Sequence, residues 1–279
     1  MTKLSLLLPV YRNDDPDHLE EAITSVTTQT RLPEELVIVQ DGPIPQSVDN
    51  IIERWQHNSD IIIRRVLLEN NSGLGTALRV GMQHCKGEYV ARMDADDIAV
   101  PFRLEKQVEY LNENPNIDIV GGFISEFEED ADETLALRKV PTDHNNIAEM
   151  ARFRSPFNHG TVVMRREAVI SAGNYRSVDR MEDWDLWSRM LQKGATGANL
   201  PEVLLNVRAG DKLYKRRGGW EYTREEIRQQ LDFFRRGFIT LPQFLRNMAL
   251  RVPLRFVPNS LRAVIYKRFG RFQNEVTDS

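Results

Sequence analysis

Four short segments of this 279-residue chain carry residue types that could do chemistry in concert. Asp94–Ala95–Asp96–Asp97 sets three carboxylates within four residues. Carboxylates this close together repel one another unless a cation compensates. A hard divalent cation takes oxygen ligands, often one or two carboxylates completed by substrate phosphates. The segment therefore reads either as a metal site facing a phosphorylated ligand or as a solvated acidic turn ahead of a helix near Pro101. Asp41–Gly42 follows the apolar run Leu36–Val39. Its carboxylate could accept from a base N–H or a ribose hydroxyl, although Asp–Gly is also a common turn. Asn71–Ser72–Gly73–Leu74–Gly75 sets two glycines before a helical pattern. Backbone amides there could approach a phosphate, or the segment is a plain turn into the helix; its spacing is not that of a dinucleotide or P-loop fingerprint. Glu182–Asp183 precedes Trp184–Asp185–Leu186–Trp187. That arrangement suits a general base beside a sugar-stacking surface, or an acid that caps a helix whose Trp187 is core.

These segments matter only if the fold brings them to one place. Leu4–Tyr11, Leu36–Val39, Ile61–Leu68, Tyr89–Met93 and Ile117–Phe123 read as strands. Between them, His18–Gln29, Val48–Trp55, Gly75–His84 and a stretch from Pro101 to Leu111 read as helices; Leu19, Ala22, Ile23 and Val26 share one helical face. Strand–helix alternation predicts an α/β fold with a mostly parallel central sheet and helices on both faces. In such sheets ligands bind beyond the carboxyl ends of the strands, where Asp41 and Asp94 both fall. Residues 126–140 read as an acidic loop and an edge strand, 143–152 and Asp183–Leu191 as helices, and Thr161–Met164 as a short buried strand. From Gly218 the pattern turns helical and basic, through Leu241–Leu254 and Leu261–Phe269.

Composition sets further bounds. The length allows one large domain or a domain with an appendage. The single cysteine, Cys85, excludes a disulfide framework and a cysteine-rich zinc site, and a reducing cytoplasm is the simpler compartment. No apolar run approaches the ~20 residues of a membrane span, and the first residues lead straight into a strand-length segment ended by Pro9. The net charge of −4 hides an asymmetry: residues 205–279 hold 16 Lys+Arg against 7 Asp+Glu. Basic helices interleaved with Leu, Phe and Tyr predict either a peripheral contact with the anionic inner face of the cytoplasmic membrane or a helical cap on the catalytic domain. No nucleic-acid-binding module is recognisable, so no nucleic-acid partner is expected.

The segments Leu7–Leu8–Pro9–Val10–Tyr11, Gln40–Asp41–Gly42, Asn71–Ser72–Gly73–Leu74–Gly75–Thr76–Ala77, Gly87–Glu88–Tyr89, Met93–Asp94–Ala95–Asp96–Asp97 and Glu182–Asp183–Trp184–Asp185–Leu186–Trp187 occur in this order. The set resembles the inverting family-2 glycosyltransferases of the GT-A fold over residues 3–207. It is most similar to bacterial enzymes that assemble exopolysaccharide or O-antigen repeat units, of the amylovoran type. The resemblance implies a GT-A catalytic domain over 1–207, in which residues 1–125 bind the nucleotide and residues 126–207 the acceptor. A helical basic extension would follow over 208–279. The resemblance also implies a UDP-sugar donor, a lipid-linked saccharide acceptor, and Mn2+ or Mg2+ as cofactor. Pro9 and Tyr11 would flank the nucleobase, Asp41 would bond it, and Gly73 would let the nucleotide approach. Asp94 would touch ribose or metal, Asp96 would ligate the metal, and Asp183 would be the catalytic base. His159, Glu182, Trp184 and Trp187 would line the acceptor side. Gln40, Pro43 and Arg79 depart from the usual acid, Ser and Asn. A catalytically silent nucleotide-sugar-binding subunit of an assembly complex is the competing function, and it would be expected to lack Asp96 or Asp183. A nucleotidyltransferase would want a glycine-rich loop after the first strand, where Val10–Tyr11–Arg12–Asn13–Asp14 has none.

Overall fold

The computed structural model describes residues 3–178, 180–208 and 220–256, without the side chains of 254–256. The expected helix at Leu261–Phe269 and the residues around Gly218 lie outside the described residues. Among the described residues nine strands form one sheet: β1 (Leu4–Tyr11), β2 (Glu35–Asp41), β3 (Ile62–Leu68), β4 (Tyr89–Arg92), β5 (Ile98–Ala99), β6 (Ile119–Phe127), β7 (Ala136–Arg138), β8 (Val163–Arg165) and β9 (Gly197–Arg208). Their order is β3-β2-β1-β4-β8-β6-β9-β5, with β7 on β6. The long ladders, β1 with β2, β2 with β3 and β6 with β9, are parallel, as is β1 with β4; the antiparallel ladders at β5, β7 and β8 span only two or three residue pairs. The architecture is the mixed α/β sheet that the alternation predicts.

Side-chain alternation along the strands sorts the core into two layers. Leu4, Leu6, Leu8, Leu36 and Ile38 face one side, covered by α1 (Pro16–Thr27), α2 (Gln46–Asn58) and α4 (Arg103–Glu113). Leu7, Val37 and Val39 face the other, covered by α3 (Leu74–His84), α5 (His144–Ala151), α6 (Arg166–Ser171) and α7 (Glu182–Gln192). Caps fix two of these helices where the sequence asks for them. The Asp15 carboxylate accepts from the amides of Asp17 and His18, ahead of Pro16 in the first turn of α1. Asp143 does the same for Asn146 in α5.

The sequence reading misses β9. Pro201 interrupts its pattern, because proline cannot donate to a ladder. The strand absorbs it as an irregularity: pairing with β6 steps from Leu200 opposite Gly122 to Val203 opposite Phe123. The expected strand from Thr161 begins later, because His159–Thr161 forms a 3-10 turn before β8. The helix expected from Pro101 starts at Arg103. Beyond β9, α8 (Trp220–Arg235) and α9 (Leu241–Phe256) pack on α7 through a small third core of Trp184, Phe233 and Ile239.

Candidate active site

The site begins where β1 loses a neighbour. β1 pairs with β4 from Leu4 to Leu7, and the Met93 amide makes the last bond, to the Leu7 carbonyl. By the two-residue alternation of a strand, the next amide needed on that side belongs to residue 9. Pro9 has none, so β1 and β4 separate there. β1 stays paired with β2 to its end, which sets Tyr11 opposite Asp41. Tyr11, Asp41 and Asp94 thus reach one edge of the sheet from three adjacent parallel strands.

Asp41 is buried and organises the loop opposite it. Its two oxygens accept from the amides of Ser72 and Gly73 at 2.6 and 2.9 Å. Gly42, at φ +82°, leaves no room for a side chain, since a Cβ would lie 2.5 Å from the Asn71 nitrogen. Gly73, at φ +85°, is the residue before α3, where only glycine turns freely. A Cβ on Gly75 would strike the Arg176 carbonyl and lie 3.3 Å from Cβ of Glu182. The start of α3 therefore abuts the start of α7, and the Asn71–Gly75 segment meets the helix that carries Asp183. Gln40, the departure beside Asp41, accepts from the Arg65 guanidinium, which also pairs with Asp49.

Asp94, Asp96 and Asp97 share the strand-end field with a fourth carboxylate, Asp14, that the sequence reading lacks. Asp14 accepts from the Tyr11 amide at 2.8 Å. Burial, together with Asp96 and Asp94, pushes its carboxyl up to about 7 despite that bond. Asp96 is exposed, yet the surrounding protein mass and the Asp94 carboxylate raise it as well. Asp97 is buried and raised well above the carboxylate range by burial and both neighbours; it accepts from the Arg208 amide at 3.2 Å, where the short β5–β9 pairing holds the two together. Among the described residues, no three of His, Cys, Asp and Glu converge on one ligating point. The donor set nonetheless fits a hard cation that takes one or two carboxylates and completes its shell with phosphate oxygens: Asp96 is open, and its repulsion by Asp94 is what a cation would relieve.

Arg92, at the end of β4, connects the two halves of the site. It is almost fully buried, and its guanidinium grips both oxygens of Asp94. Burial opposes its charge, while Asp94, Tyr175 and Glu182 hold it. On the far side, Ser155 donates to Asp183 at 2.8 Å. Glu182 is buried, and burial with the neighbouring Asp183 pushes its carboxyl up to about 7. His159 bridges the Tyr175 hydroxyl (3.0 Å from Nε2) and Glu182 (3.9 Å from Nδ1); burial and Arg92 hold it neutral, well below its usual range. Asp14, Arg92, Ser155 and Tyr175 escape the sequence reading. Only Arg92 leaves a signal there, as a charged residue inside the strand-like Tyr89–Met93.

One expectation is corrected. Trp184 is 4% exposed: its indole N–H donates to the Ala151 carbonyl at 2.7 Å, and its ring packs on Phe233. Trp187 is fully buried, edge-on to Phe157 and His159. Neither ring has a free face, so they are not a sugar-stacking surface; burying such large apolar rings outweighs exposing them. The His159 and Glu182 side chains are also largely buried, 13% and 8% exposed.

Residues 5–173 match the family described as Glycosyl transferase family 2. The chain belongs to that family. This transferase is 40% identical over 256 residues to the amylovoran biosynthesis glycosyltransferase AmsE of Erwinia amylovora, covering 90% of this chain and 95% of that one. It is 34% identical over 269 residues to the UDP-Gal:alpha-D-GlcNAc-diphosphoundecaprenol beta-1,3-galactosyltransferase of Escherichia coli, covering 96% and 97%. Among solved structures it resembles the mannosyltransferase PcManGT of Pyrobaculum calidifontis, in complex with GDP-Man and Mn2+, with a TM-score of 0.66 at 17% identity, over 97% of this chain and 76% of that one. Its fold is the GT-A fold.

Arg92 gives this transferase a testable link between Asp94 and Glu182. Arg92→Lys keeps the charge but loses the two-pronged grip on Asp94. A hydrogen bond to a charged group is worth about 1.5–3 kcal/mol, so kcat/KM should fall roughly 10- to 100-fold with the melting temperature nearly kept. Steady-state kinetics beside a thermal melt check this; an unchanged kcat/KM would remove Arg92 from the site's machinery.

Proposed function

We propose that this family 2 transferase moves a hexose, with galactose the first candidate, from a UDP-sugar to a hydroxyl of a lipid-linked saccharide, inverting the anomeric centre. The product would be an intermediate of bacterial surface polysaccharide. The observation that carries the reading is the convergence of three parallel strand ends with Tyr11, Asp41 and Asp94–Asp96, against the start of a helix bearing Asp183. In this reading the strand ends are the nucleotide side and the start of that helix is the base side. The reported activity of the Escherichia coli relative supports the sugar and the acceptor class.

In this reading Tyr11 and Pro9 flank the base, and Asp41 offers its remaining lone pairs to a base N–H while it shapes the loop at Gly73. Asp96, with Asp94 beside it, would hold Mn2+ or Mg2+, whose chemistry there is to neutralise charge on the diphosphate. The Mn2+ of the mannosyltransferase neighbour supports a metal in this fold. Asp183, oriented by Ser155, accepts the proton of the acceptor hydroxyl. The acceptor oxygen then bonds to the anomeric carbon from the face opposite the departing UDP, and the carbon–oxygen bond to the diphosphate breaks. Arg92 holds Asp94 in place and offsets the charge of Glu182 behind the base.

Residues 1–207 would form the catalytic domain and 208–279 an extension that meets the inner face of the cytoplasmic membrane peripherally. No helix among the described residues is long and apolar enough to cross a membrane. A thermal-shift panel of UDP- and GDP-sugars, with and without Mn2+, tests the donor side. Stabilisation by UDP-sugars that grows with metal is expected. A folded protein that answers no nucleotide sugar would overturn the reading in favour of a silent scaffold subunit.

A further inference from the structure

Among the described residues the outer face of α9 is apolar and uncovered. Leu241, Leu245 and Leu250 are 52%, 57% and 62% exposed, and Pro242, Ala249 and Pro253 share their side of the helix. Leu241, Leu245 and Ala249 follow one another at four-residue spacing, which makes a continuous ridge. Phe234 of α8, also exposed, packs against Phe244 at 5.6 Å and widens the patch. The inner face is firmly held. Asn247 donates to the Arg152 carbonyl at 2.9 Å and to Gln230 at 2.8 Å. Arg251 pairs with Glu226, donates to the Phe153 carbonyl, and lies 4.8 Å over the Trp184 ring. The ridge is therefore not the side that α9 needs for packing.

Charge selects the occupant. From Leu241 to Asn274 the sequence holds seven Lys and Arg and no Asp or Glu. Arg246 lies on the exposed side of α9 with its guanidinium turned to Asn247 and Phe153, and α8 exposes Arg224, Arg228 and Arg235 beside the acid Glu221, with Arg228 paired to Glu225. A second copy would add its own excess of Lys and Arg over 241–274 to this one's, which disfavours the pairing. A bilayer with anionic headgroups satisfies both features: Leu and Pro enter the headgroup boundary and the guanidiniums meet phosphate. We propose that the Leu241–Leu245–Leu250 face of α9 is the membrane-docking surface, and that docking sets the base side of the site toward the lipid. The second half follows from connectivity. Arg251 touches Trp184, the neighbour of Asp183, and bonds residue 153, two before the Ser155 that orients Asp183. A single layer of side chains separates the docking helix from the base. This inference rests on the lipid-linked acceptor and on Asp183 as base.

The test uses the full chain and a Leu241→Asp, Leu245→Asp double variant, pelleted with phosphatidylcholine vesicles with or without phosphatidylglycerol. The wild type should pellet with anionic vesicles and much less with neutral ones. The double variant should bind about tenfold more weakly or worse, since two apolar anchors are lost. Its melting temperature and its turnover with a short-chain, water-soluble diphosphate acceptor should stay at the wild-type level, while turnover with a long-chain acceptor in vesicles falls. A wild type that stays in the supernatant overturns the proposal, as does a variant that pellets equally. Loss of melting temperature in the variant would overturn it by assigning the ridge to packing. Dimerisation in light scattering that the same substitutions abolish would assign the ridge to a second copy. Failure of the wild type on the soluble acceptor would count against the proposed reaction alone, because vesicle binding is read separately.

Discussion

Asp183→Asn is expected to lower kcat roughly 10²- to 10⁴-fold, the range that a positioned general base supplies, while UDP-sugar affinity stays near the wild-type value. The carboxamide has almost the same shape, and its oxygen can still accept from Ser155, which bonds the carboxylate at 2.8 Å. What it cannot do is take a proton at neutral pH. An interaction made only in the transition state lowers kcat and kcat/KM equally and leaves binding alone. Calorimetric donor titration beside steady-state kinetics separates the outcomes. Turnover near wild type would remove the base from Asp183, and lost donor binding would assign the residue to the structure of the site.

Asp96→Ala should abolish the metal-dependent component of donor binding and reduce turnover by about 100-fold or more, because Lewis-acid stabilisation is worth several kcal/mol. The fold should not suffer. The surrounding protein mass and Asp94 raise the Asp96 carboxyl above its ordinary value in the folded chain. A group raised by folding supports stability at low pH and withdraws that support as pH rises through its folded value. At neutral pH the metal-free protein therefore carries an unfavourable charge at this position, and the alanine variant should melt at the same temperature or higher. The difference should grow as pH rises from the ordinary carboxylate range, about pH 4, through the raised folded value. A titration with Mn2+ and UDP-galactose reads the first effect and a melt series across that pH range reads the second. Metal-dependent binding that survives in Asp96→Ala would contradict the assignment, and a large drop in melting temperature would make the residue structural.

The strand-end half of the site was legible because strand ends announce themselves. Leu4–Tyr11 and Tyr89–Met93 are apolar enough to be strands, and acids that follow strands fall on one edge of a parallel sheet. The spacing showed the start of α3 through its glycines, and the positive φ at Gly73 bears that out. The partners that arrive from far along the chain were not legible. Asp14 comes into the acidic field by a turn after β1, and its Arg–Asn–Asp surroundings read as any polar loop. Ser155 and Tyr175 sit in irregular segments, with Asn174 at φ +58° just before the tyrosine, so no periodicity marks them. The tryptophans misled for a physical reason: a ring near an acid at a helix start reads the same whether its face meets a sugar or a phenylalanine. The partner of Trp184 is Phe233, 49 residues later on a helix whose packing no local pattern encodes.

The most direct measurement is proton NMR of the glycosidic linkage formed when this transferase, with Mn2+, meets UDP-α-galactose and a diphosphate-linked N-acetylglucosamine acceptor. A β-linked product, made at a rate that falls with Asp183→Asn, is the result predicted for a single displacement with Asp183 as base. An α-linked product, or UDP release without any new linkage, would contradict inverting transfer at this site.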